Sequence, residues 1–321
     1  RQACGVSACC DTGRIDAVAP GGLMMNQSVE SRRCPYCLEQ AFPGLAAGRR
    51  RFFHCSSCRL VFRDGLDAPE AAAEERRYYE DEYYRELAWD QLEGYRDGIY
   101  REALDRIEGQ EGRRGRLLDV GCGCGLFLRE ALKRGWDAKG IDPSRESIEY
   151  LHATIGDAGI QGTLEDFDPG TRYDAVTMIN VLDHLAEPWK DATRAASLLR
   201  DGGVLYVRVP NGPFHMALCR LLASCGLNGS TGRVVVFHNY VLSAAWLTRV
   251  LSDRGFSRIE IRNAGLSGFS GYRRHTGRTK VLHALRRAVW CGAKSAERLS
   301  AGRLLWGPSL EVTARKAGKT G

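Results

Sequence analysis

The sequence predicts an α/β protein in which a seven-stranded parallel sheet is covered by helices on both faces, with a small cysteine-rich module in front of it. From residue 116 onwards, apolar segments typical of buried strands alternate with amphipathic segments typical of helices. Because each helix returns the chain to the same end of the sheet, this alternation favours parallel strands. Upstream of it, two closely spaced cysteine pairs indicate a metal-binding module.

The composition is that of a globular protein of 321 residues, with 44% apolar and 26% charged residues. This length allows one large domain and a small appendage. No run of eighteen apolar residues is present, so we expect no transmembrane helix. The first part of the chain has no apolar core of a secretory signal, and we expect residues 1–30 to be a disordered tail of a cytoplasmic protein.

A zinc ribbon is predicted over residues 31–65. Two C-x2-C pairs, Cys34/Cys37 and Cys55/Cys58, are separated by seventeen residues, which is a spacing typical of a four-thiolate site. Each pair turns the backbone so that two sulfurs converge, and two pairs complete a tetrahedron. Because four thiolates leave no open coordination position, we expect a structural zinc that stabilises the module. The alternative is a set of unpaired structural thiols.

A helical linker or cap is predicted over residues 66–110, which are charged and rich in aromatic residues. It contains a tyrosine cluster at Tyr78, Tyr79, Tyr83 and Tyr84. These side chains either pack within the linker or cover a ligand at the mouth of the main domain, which we expect to span residues 111–321.

The main domain has seven predicted strands. In order, they lie in LLDVGC, AKGIDPS, IQGTLEDF, YDAVTMINVL, GVLYVRVPN, SRIEIRNA and SLEVTARK. Helices are predicted over LFLREALKRG, the segment through Tyr150, EPWKDATRAASLLRDGG, HNYVLSAAWLTRVLSDRGF and RTKVLHALRRAVWCGAKSAERL.

A glycine-rich turn follows the first of these strands. Gly121, Gly123 and Gly125 alternate with other residues, so the backbone can approach a ligand where side chains would clash. A dinucleotide fingerprint requires a third glycine or alanine where this chain has Leu126. With Asp119 two residues before the first glycine, the turn fits a ligand that joins a nucleoside to an amino acid.

Further ligand-binding candidates lie at the ends of the next strands. Asp142 ends the second strand, where a carboxylate can accept both ribose hydroxyls. Glu165 follows the third strand and can meet an adenine edge, while the backbone of Asn180 can face an amino group. Cys122 and Pro143 complete the set, as neighbours of the glycines and of Asp142.

From residue 116 to residue 256 the chain resembles the class I S-adenosylmethionine (SAM)-dependent methyltransferases, in particular a group resembling ubiquinone-biosynthesis and sugar-modifying enzymes. The resemblance is carried by residues 118–125, 140–144, 180–185, 198–203 and 209–211, and by His238 ahead of Leu247, Gly255 and Phe256. It implies a Rossmann-like, mostly parallel sheet whose seventh strand is antiparallel. It also implies SAM as the cofactor, bound by Gly121, Gly123, Gly125, Asp142 and Asn180. Some quinone enzymes carry Glu at the positions of Asn180 and Asp183. The resemblance therefore does not imply that this chain uses their metal-assisted chemistry.

Methyl transfer to a hydroxyl or an acidic carbon needs a base. The candidates are Asp183 and His184, after the fourth strand, and His238, ahead of a late helix. For His184, a structural hydrogen bond is an equal alternative. We expect the acceptor to be a small molecule, such as a sugar, an envelope glycan precursor or a related metabolite.

The basic residues are concentrated near the carboxyl end. The chain carries a net charge of +7, and residues 254–321 hold 15 Lys/Arg against 3 acids. A basic amphipathic insert at about 275–305 predicts a lid, an ordinary packed helix, or peripheral contact with an anionic membrane.

A zinc-ribbon RNA-binding protein or RNA methyltransferase is a second class of function, but the ribbon shows no base-reading motif, so nucleic acid is not expected as a partner. A non-catalytic SAM-binding protein is a third class of function. The sequence makes no prediction of oligomeric state.

Overall fold

A computed structural model describes residues 31–47, 50–66, 96–112, 114–226, 237–266 and 277–318 of the chain. The predicted tail at 1–30 and the tyrosine cluster at 78–84 lie outside the described residues, as does most of the predicted linker.

Twelve strands and seven helices are described. The strands are β1 (Arg32–Arg33), β2 (Gln40–Ala47), β3 (Arg50–Cys55), β4 (Val61–Arg63), β5 (Arg116–Val120), β6 (Asp137–Asp142), β7 (Gly159–Gln161), β8 (Tyr173–Ile179), β9 (Leu199–Pro210), β10 (Tyr240–Val241), β11 (Phe256–Asn263) and β12 (Ser309–Lys316). The helices are α1 (Asp97–Glu111), α2 (Leu126–Lys133), α3 (Arg145–Ile155), α4 (Pro188–Leu198), α5 (Gly212–Ser224), α6 (Ala244–Asp253) and α7 (Gly277–Leu299).

The main sheet has seven strands in the order β11-β12-β9-β8-β5-β6-β7. Strand β12 is antiparallel to both of its neighbours, and the other pairs are parallel. This arrangement confirms the predicted α/β fold with a mostly parallel, Rossmann-like sheet. The chain runs outward from β5 through β6 to β7 and then crosses back to β8, so the strand order reverses between β5 and β8. Open α/β sheets bind ligands beside the carboxyl ends of strands at such a reversal.

The apolar side chains of the sheet pack against helices on both faces. On one face, Leu117 of β5 belongs to a buried cluster with residues of α1, α2 and α3, including Leu104 and Phe127. On the other, Leu118 packs in a cluster with residues of α4 and α6, including Trp246. Consecutive residues of one strand point to opposite faces, which explains why this segment is apolar without alternation.

A second sheet of five strands, in the order β1-β2-β3-β4-β10, contains the cysteine pairs. Its first four strands come from residues 32–63, but its edge strand β10 comes from residues 240–241 and pairs with β4. The predicted helix over HNYVLSAAWLTRVLSDRGF was therefore too long at its start. Helix α6 begins at Ala244, because Ser243 accepts a hydrogen bond from the Trp246 amide and caps it.

Helix α7 lies between β11 and β12 and covers most of the segment predicted as a basic insert. Its Ala293 is buried, and Asn263 of β11 donates a hydrogen bond to the Ala293 carbonyl. Among the helices that the structure describes, none has a long enough apolar stretch to span a bilayer.

Candidate functional site

The four cysteines of the amino-terminal pairs converge on one point. The Sγ atoms of Cys34 and Cys58 are 3.5 Å apart, as are those of Cys37 and Cys55. All four sulfurs lie within 4.8 Å of one another. A tetrahedral zinc with Zn–S bonds of about 2.3 Å separates its sulfurs by about 3.8 Å. The cluster therefore fits a zinc ion.

Both cysteine turns have the same backbone geometry. The Leu38 amide donates to the Cys34 carbonyl and the Arg59 amide to the Cys55 carbonyl, each over 2.9 Å. Leu38 and Arg59 both have positive φ angles, 64° and 62°. Non-glycine residues adopt this conformation at a cost, which the surrounding site must offset. Two matched turns that each present a pair of sulfurs are the geometry expected of a four-thiolate ribbon.

The glycine turn lies between β5 and α2. Gly121, Gly123 and Gly125 have φ angles of 69°, 50° and 76°, a region that side chains disfavour. A Cβ on Gly121 would be 2.4 Å from Cγ2 of Val181. Gly125 occupies the N-cap position of α2. The turn thus needs its glycines for backbone conformation as well as for close approach.

Asp142 at the end of β6 is joined to this turn. Its carboxylate accepts the Gly123 amide over 2.8 Å and the Ser144 amide over 2.9 Å. Burial raises the pKa of Asp142, while these two amides act in the opposite direction. The carboxylate is therefore held in a fixed orientation beside the glycine turn.

Asp119, at the base of the turn, is a second buried carboxyl group. It accepts a hydrogen bond of 2.6 Å from the hydroxyl of Thr177 on β8. Burial raises the pKa of Asp119 to about 7, and the nearby Asp142 adds to this effect. Thr177 was not among the predicted residues, because a threonine in an apolar strand has no distinguishing sequence signal.

Asn180 follows β8 and has a positive φ of 57°. Its amide donates to the carbonyl of Arg208, and its Oδ1 accepts from Nη1 of Arg208 over 2.6 Å. Arg208 is 7% exposed and also donates to the carbonyl of Gly265. Sequence reasoning missed Arg208, although a lone charge in the apolar strand GVLYVRVPN was a signal that could have revealed it.

Asp183, His184 and His238 lie together. The Nε2 atoms of both histidines are 3.8 Å from Oδ2 of Asp183, and the two imidazole centroids are 3.6 Å apart. Oδ1 of Asp183 is buried and has no hydrogen-bond partner among the described residues. The separation of 3.8 Å is too long for a direct hydrogen bond, but one oxygen atom about 2.8 Å from each group can bridge them.

Burial changes the protonation of this trio. It raises the pKa of Asp183 to about 7, and it lowers the pKa of His184 to about 4. Burial lowers the pKa of His238 well below its usual range, and the neighbouring His184 and Arg50 contribute. Both imidazoles are therefore neutral near pH 7, so each has a ring nitrogen able to accept a proton.

One cavity of about 1160 Å³ joins these groups. Of the predicted ligand-binding and catalytic residues, Asp119, Gly121, Cys122, Gly123, Asp142, Pro143, Glu165, Asn180, Asp183, His184 and His238 line it. Gly125 does not line it, because its part in the turn is to begin α2. Ligand pockets are typically about 300–1,000 Å³. This cavity therefore has room for a cofactor and an acceptor together.

Several residues that line the cavity were not predicted. His215 of α5 is 4% exposed and makes a 2.9 Å hydrogen bond with the Pro308 carbonyl. Asp191 of α4 is a further carboxyl whose pKa is raised, to about 6, by burial. On α7, Leu285 and Val289 also line the cavity. His215 and Asp191 have no local sequence signal, since tertiary packing alone brings them to the site, whereas Leu285 and Val289 belong to the amphipathic insert for which a lid was one of the predictions.

The strand order, the antiparallel β12 and a cavity at the carboxyl ends of β5, β6 and β8 define the Rossmann-like methyltransferase class. A family model described as a methyltransferase domain matches residues 92–261. The chain belongs to this methyltransferase-domain family.

Curated relatives include two ubiquinone biosynthesis O-methyltransferases. The protein from Bradyrhizobium sp. (strain ORS 278) is 35% identical over 101 residues, which cover 30% of this chain and 40% of that protein. The protein from Azorhizobium caulinodans is 32% identical over 126 residues, which cover 36% and 50%. The chain thus spans half or less of the length of these two relatives. A structure of the plantazolicin methyltransferase in complex with SAH has the same fold, with 15% identity, a TM-score of 0.51 and coverage of 79% of this chain and 98% of that chain.

Proposed function

We propose that this protein is a SAM-dependent methyltransferase that transfers a methyl group to a hydroxyl of a small molecule. The observation that carries this proposal is a single cavity that contains both the glycine turn with Asp142 and the trio of Asp183, His184 and His238. The O-methyltransferase names of the curated relatives support hydroxyl transfer.

The charge of the cavity wall fits a cationic cofactor. Burial raises the pKa of four carboxyl groups in the wall: Asp119, Asp142, Asp183 and Asp191. A positive ligand stabilises the ionised forms of such groups. The wall holds seven Asp/Glu against five Lys/Arg, so a sulfonium placed beside the buried carboxyl groups would be favoured there over a neutral or anionic group.

The proposed binding roles follow from the positions of the groups. Asp142 would accept the ribose hydroxyls, with the glycine turn allowing the backbone to pass close to the ligand. Asn180 would orient the amino-acid part, since its side chain is fixed by Arg208. Asp119 faces the same cavity and would stabilise positive charge.

The acceptor half of the cavity holds the trio. Bound SAM supplies an electrophilic methyl group on a good leaving group, so the protein's task is alignment and proton removal. The acceptor oxygen would bridge Asp183 and the histidines, in the space left by their 3.8 Å separations. His238, whose side chain is more exposed than that of His184 (33% against 18%), would take the hydroxyl proton at Nε2 while an O–CH3 bond to the acceptor replaces the S–CH3 bond of the donor. Asp183 would stabilise the imidazolium that forms.

The insert helix supports a lid role better than membrane contact. Leu285 and Val289 of α7 are 60% and 41% exposed, and both line the cavity. Their apolar side chains would cover the acceptor when it binds. Contact of this helix with an anionic membrane stays a prediction, which co-sedimentation with anionic and neutral vesicles would test.

Labelling identifies the acceptor. Purified protein is incubated with tritiated-methyl SAM and an extract fractionated into small molecules, lipids, saccharides and RNA. We expect the label in the small-molecule fraction. Alkaline cleavage of esters and phosphodiesters should not release it, because the methyl group is attached to an ether oxygen. Label confined to RNA would instead favour the nucleic-acid alternative. Calorimetry that shows uptake of a nicotinamide nucleotide and none of SAM would overturn the assignment altogether.

A further inference from the structure

We propose that the four-cysteine module positions His238, so that the metal supports methyl transfer without contacting any reactant. This inference rests on the proposed function, because it takes His238 as the base. The contacts of residues 237–241 carry it. We call this segment the His238 loop.

The module holds the backbone on both sides of His238. The Arg50 guanidinium donates to the Phe237 carbonyl over 3.1 Å. The Arg63 amide donates to the Asn239 carbonyl over 2.8 Å. These two carbonyls precede and follow residue 238, so both of its peptide neighbours are fixed by module residues.

Strand pairing and ring packing also join the His238 loop to the four-cysteine module. In the pairing of β10 with β4, Tyr240 lies opposite Phe62 and Val241 opposite Val61. The ring of Phe237 lies 5.4 Å from that of Phe52, which is 1% exposed. The His238 loop is therefore a structural part of the module's sheet, although it belongs to the methyltransferase part of the chain.

The other side of the His238 loop holds the rest of the trio. The Asn239 side chain donates to the His184 carbonyl over 2.7 Å, and the Tyr240 amide donates to the Asp183 carbonyl over 3.3 Å. The Tyr240 hydroxyl donates to the Ala186 carbonyl over 2.6 Å. The loop thus lies between the module and the segment carrying Asp183 and His184, and it holds the backbone of that segment next to the backbone of residues 239–240.

The cysteine cluster sets the positions of the module residues that make these contacts. Cys55 ends β3, which begins with Arg50 and contains Phe52. Cys58 precedes β4, which ends with Arg63. Metal ligation by both cysteines would therefore fix β3 and β4 relative to each other, and with them the two donors to the His238 loop.

Hydrogen exchange and turnover test the proposal with Arg50→Ala. The matched control is Arg51→Ala, since Arg51 is exposed and pairs with Asp64 within the module. Loss of one hydrogen bond from a charged donor should raise amide exchange in residues 237–242 about fivefold, while helix α2 exchanges at the wild-type rate. We expect kcat with catechol as the probe acceptor to fall about tenfold, because misplaced catalytic groups slow transfer. The SAM Kd should stay within about twofold.

Two further variants separate positioning from general damage. Arg50→Gln keeps a hydrogen-bond donor at this position but removes the charge that contributes to the lowered pKa of His238, so recovery of part of the lost turnover in this variant assigns the loss to positioning. The double variant with Arg50→Ala and His238→Ala should be no slower than His238→Ala alone, because Arg50 acts through His238. Removing the metal from the wild-type protein with phenanthroline should also speed exchange in residues 237–242.

The outcomes distinguish this proposal from the proposed function. If Arg50→Ala matches Arg51→Ala in exchange and in turnover, the positioning role is wrong. If His238→Ala retains wild-type turnover, the proposed base is wrong, and the exchange comparison still decides whether the module holds the loop.

Discussion

The imidazole rings of His184 and His238 lie 3.6 Å apart, centroid to centroid, although they belong to two separate loops. Each also has its Nε2 atom 3.8 Å from the same Asp183 oxygen. Two imidazolium ions so close together would repel each other, and the pKa of His238 is lowered partly for this reason. At most one of the rings is therefore protonated at a time, which is compatible with one of them acting as the proposed base.

Replacing His238 tests that role directly. His238→Ala should lower kcat about 10²- to 10⁴-fold, the usual contribution of general base catalysis, with the SAM Kd unchanged. Stopped-assay kinetics and calorimetry measure the two quantities. His152→Ala serves as control, because His152 bonds the Gly159 carbonyl outside the cavity. Equal kcat values for the two variants would show that His238 is not the base.

Asp142→Ala should weaken SAM binding about 10- to 100-fold, since a carboxylate that accepts hydroxyl hydrogen bonds contributes about 1.5–3 kcal/mol. Asp137→Asn is the matched control, because Asp137 begins the same strand and is 68% exposed. Calorimetric titration with SAM gives both affinities. An affinity loss of similar size in both variants would contradict a specific ribose contact.

The affinity for SAM should increase as the pH rises from about 6 to 8. The pKa values of Asp119 and Asp183 are raised to about 7, so both groups lose their protons across this range and then attract a positive ligand. SAH has the same nucleoside and amino acid but no sulfonium charge, so its affinity should change less. Parallel calorimetric titrations of the two compounds measure the difference. Identical pH profiles would mean that these carboxyl groups do not face the sulfonium.

Gly121→Ala should lower the free energy of unfolding by about 1–3 kcal/mol and abolish SAM binding. The new Cβ would lie 2.4 Å from the Val181 side chain, at a φ of 69°. Gly98→Ala in α1 is the control, since a Cβ there meets nothing within 4 Å. Denaturant unfolding compares the two variants, and equal stability would remove the steric argument.

Metal analysis tests the ribbon. The purified protein should contain one zinc per chain, and Cys58→Ser should lose it and unfold at a lower temperature. Cys225→Ser should retain the metal, because Cys225 is exposed and lies outside the cluster. Mass spectrometry of bound metals and thermal melts provide the measurements. Full zinc content in Cys58→Ser would exclude a four-thiolate site.

The sequence predicted those parts of the site that depend on local chain geometry. Gly121 and Gly123 follow a buried strand, and Asp142 ends the next one, so their spacing along the chain already indicates that they meet. The cysteine pairs are similar, because each turn is only a few residues long. The seven strands were also evident, although the third is just the three residues of β7.

The remaining features depend on contacts between distant parts of the chain. Arg208 and Asn180 meet because β9 lies beside β8, and no periodicity in either strand shows that their side chains bond. The pairing of β10 with β4 involves a strand of two residues, which is too short to produce a recognisable pattern. A helix was predicted there because the following residues are amphipathic, although Ser243, which caps α6, is a sequence signal for the later start.

The pairing of β4 with β10 also determines the order in which the protein can be assembled during synthesis. The cysteine turns leave the ribosome before residues 240–241, so β4 is an unpaired sheet edge until that segment has been synthesised. An open edge can pair with another chain, and contacts between remote residues form slowly. Completion of the module's sheet therefore waits for residues 240–241, and early binding of zinc would protect the nascent chain during that interval.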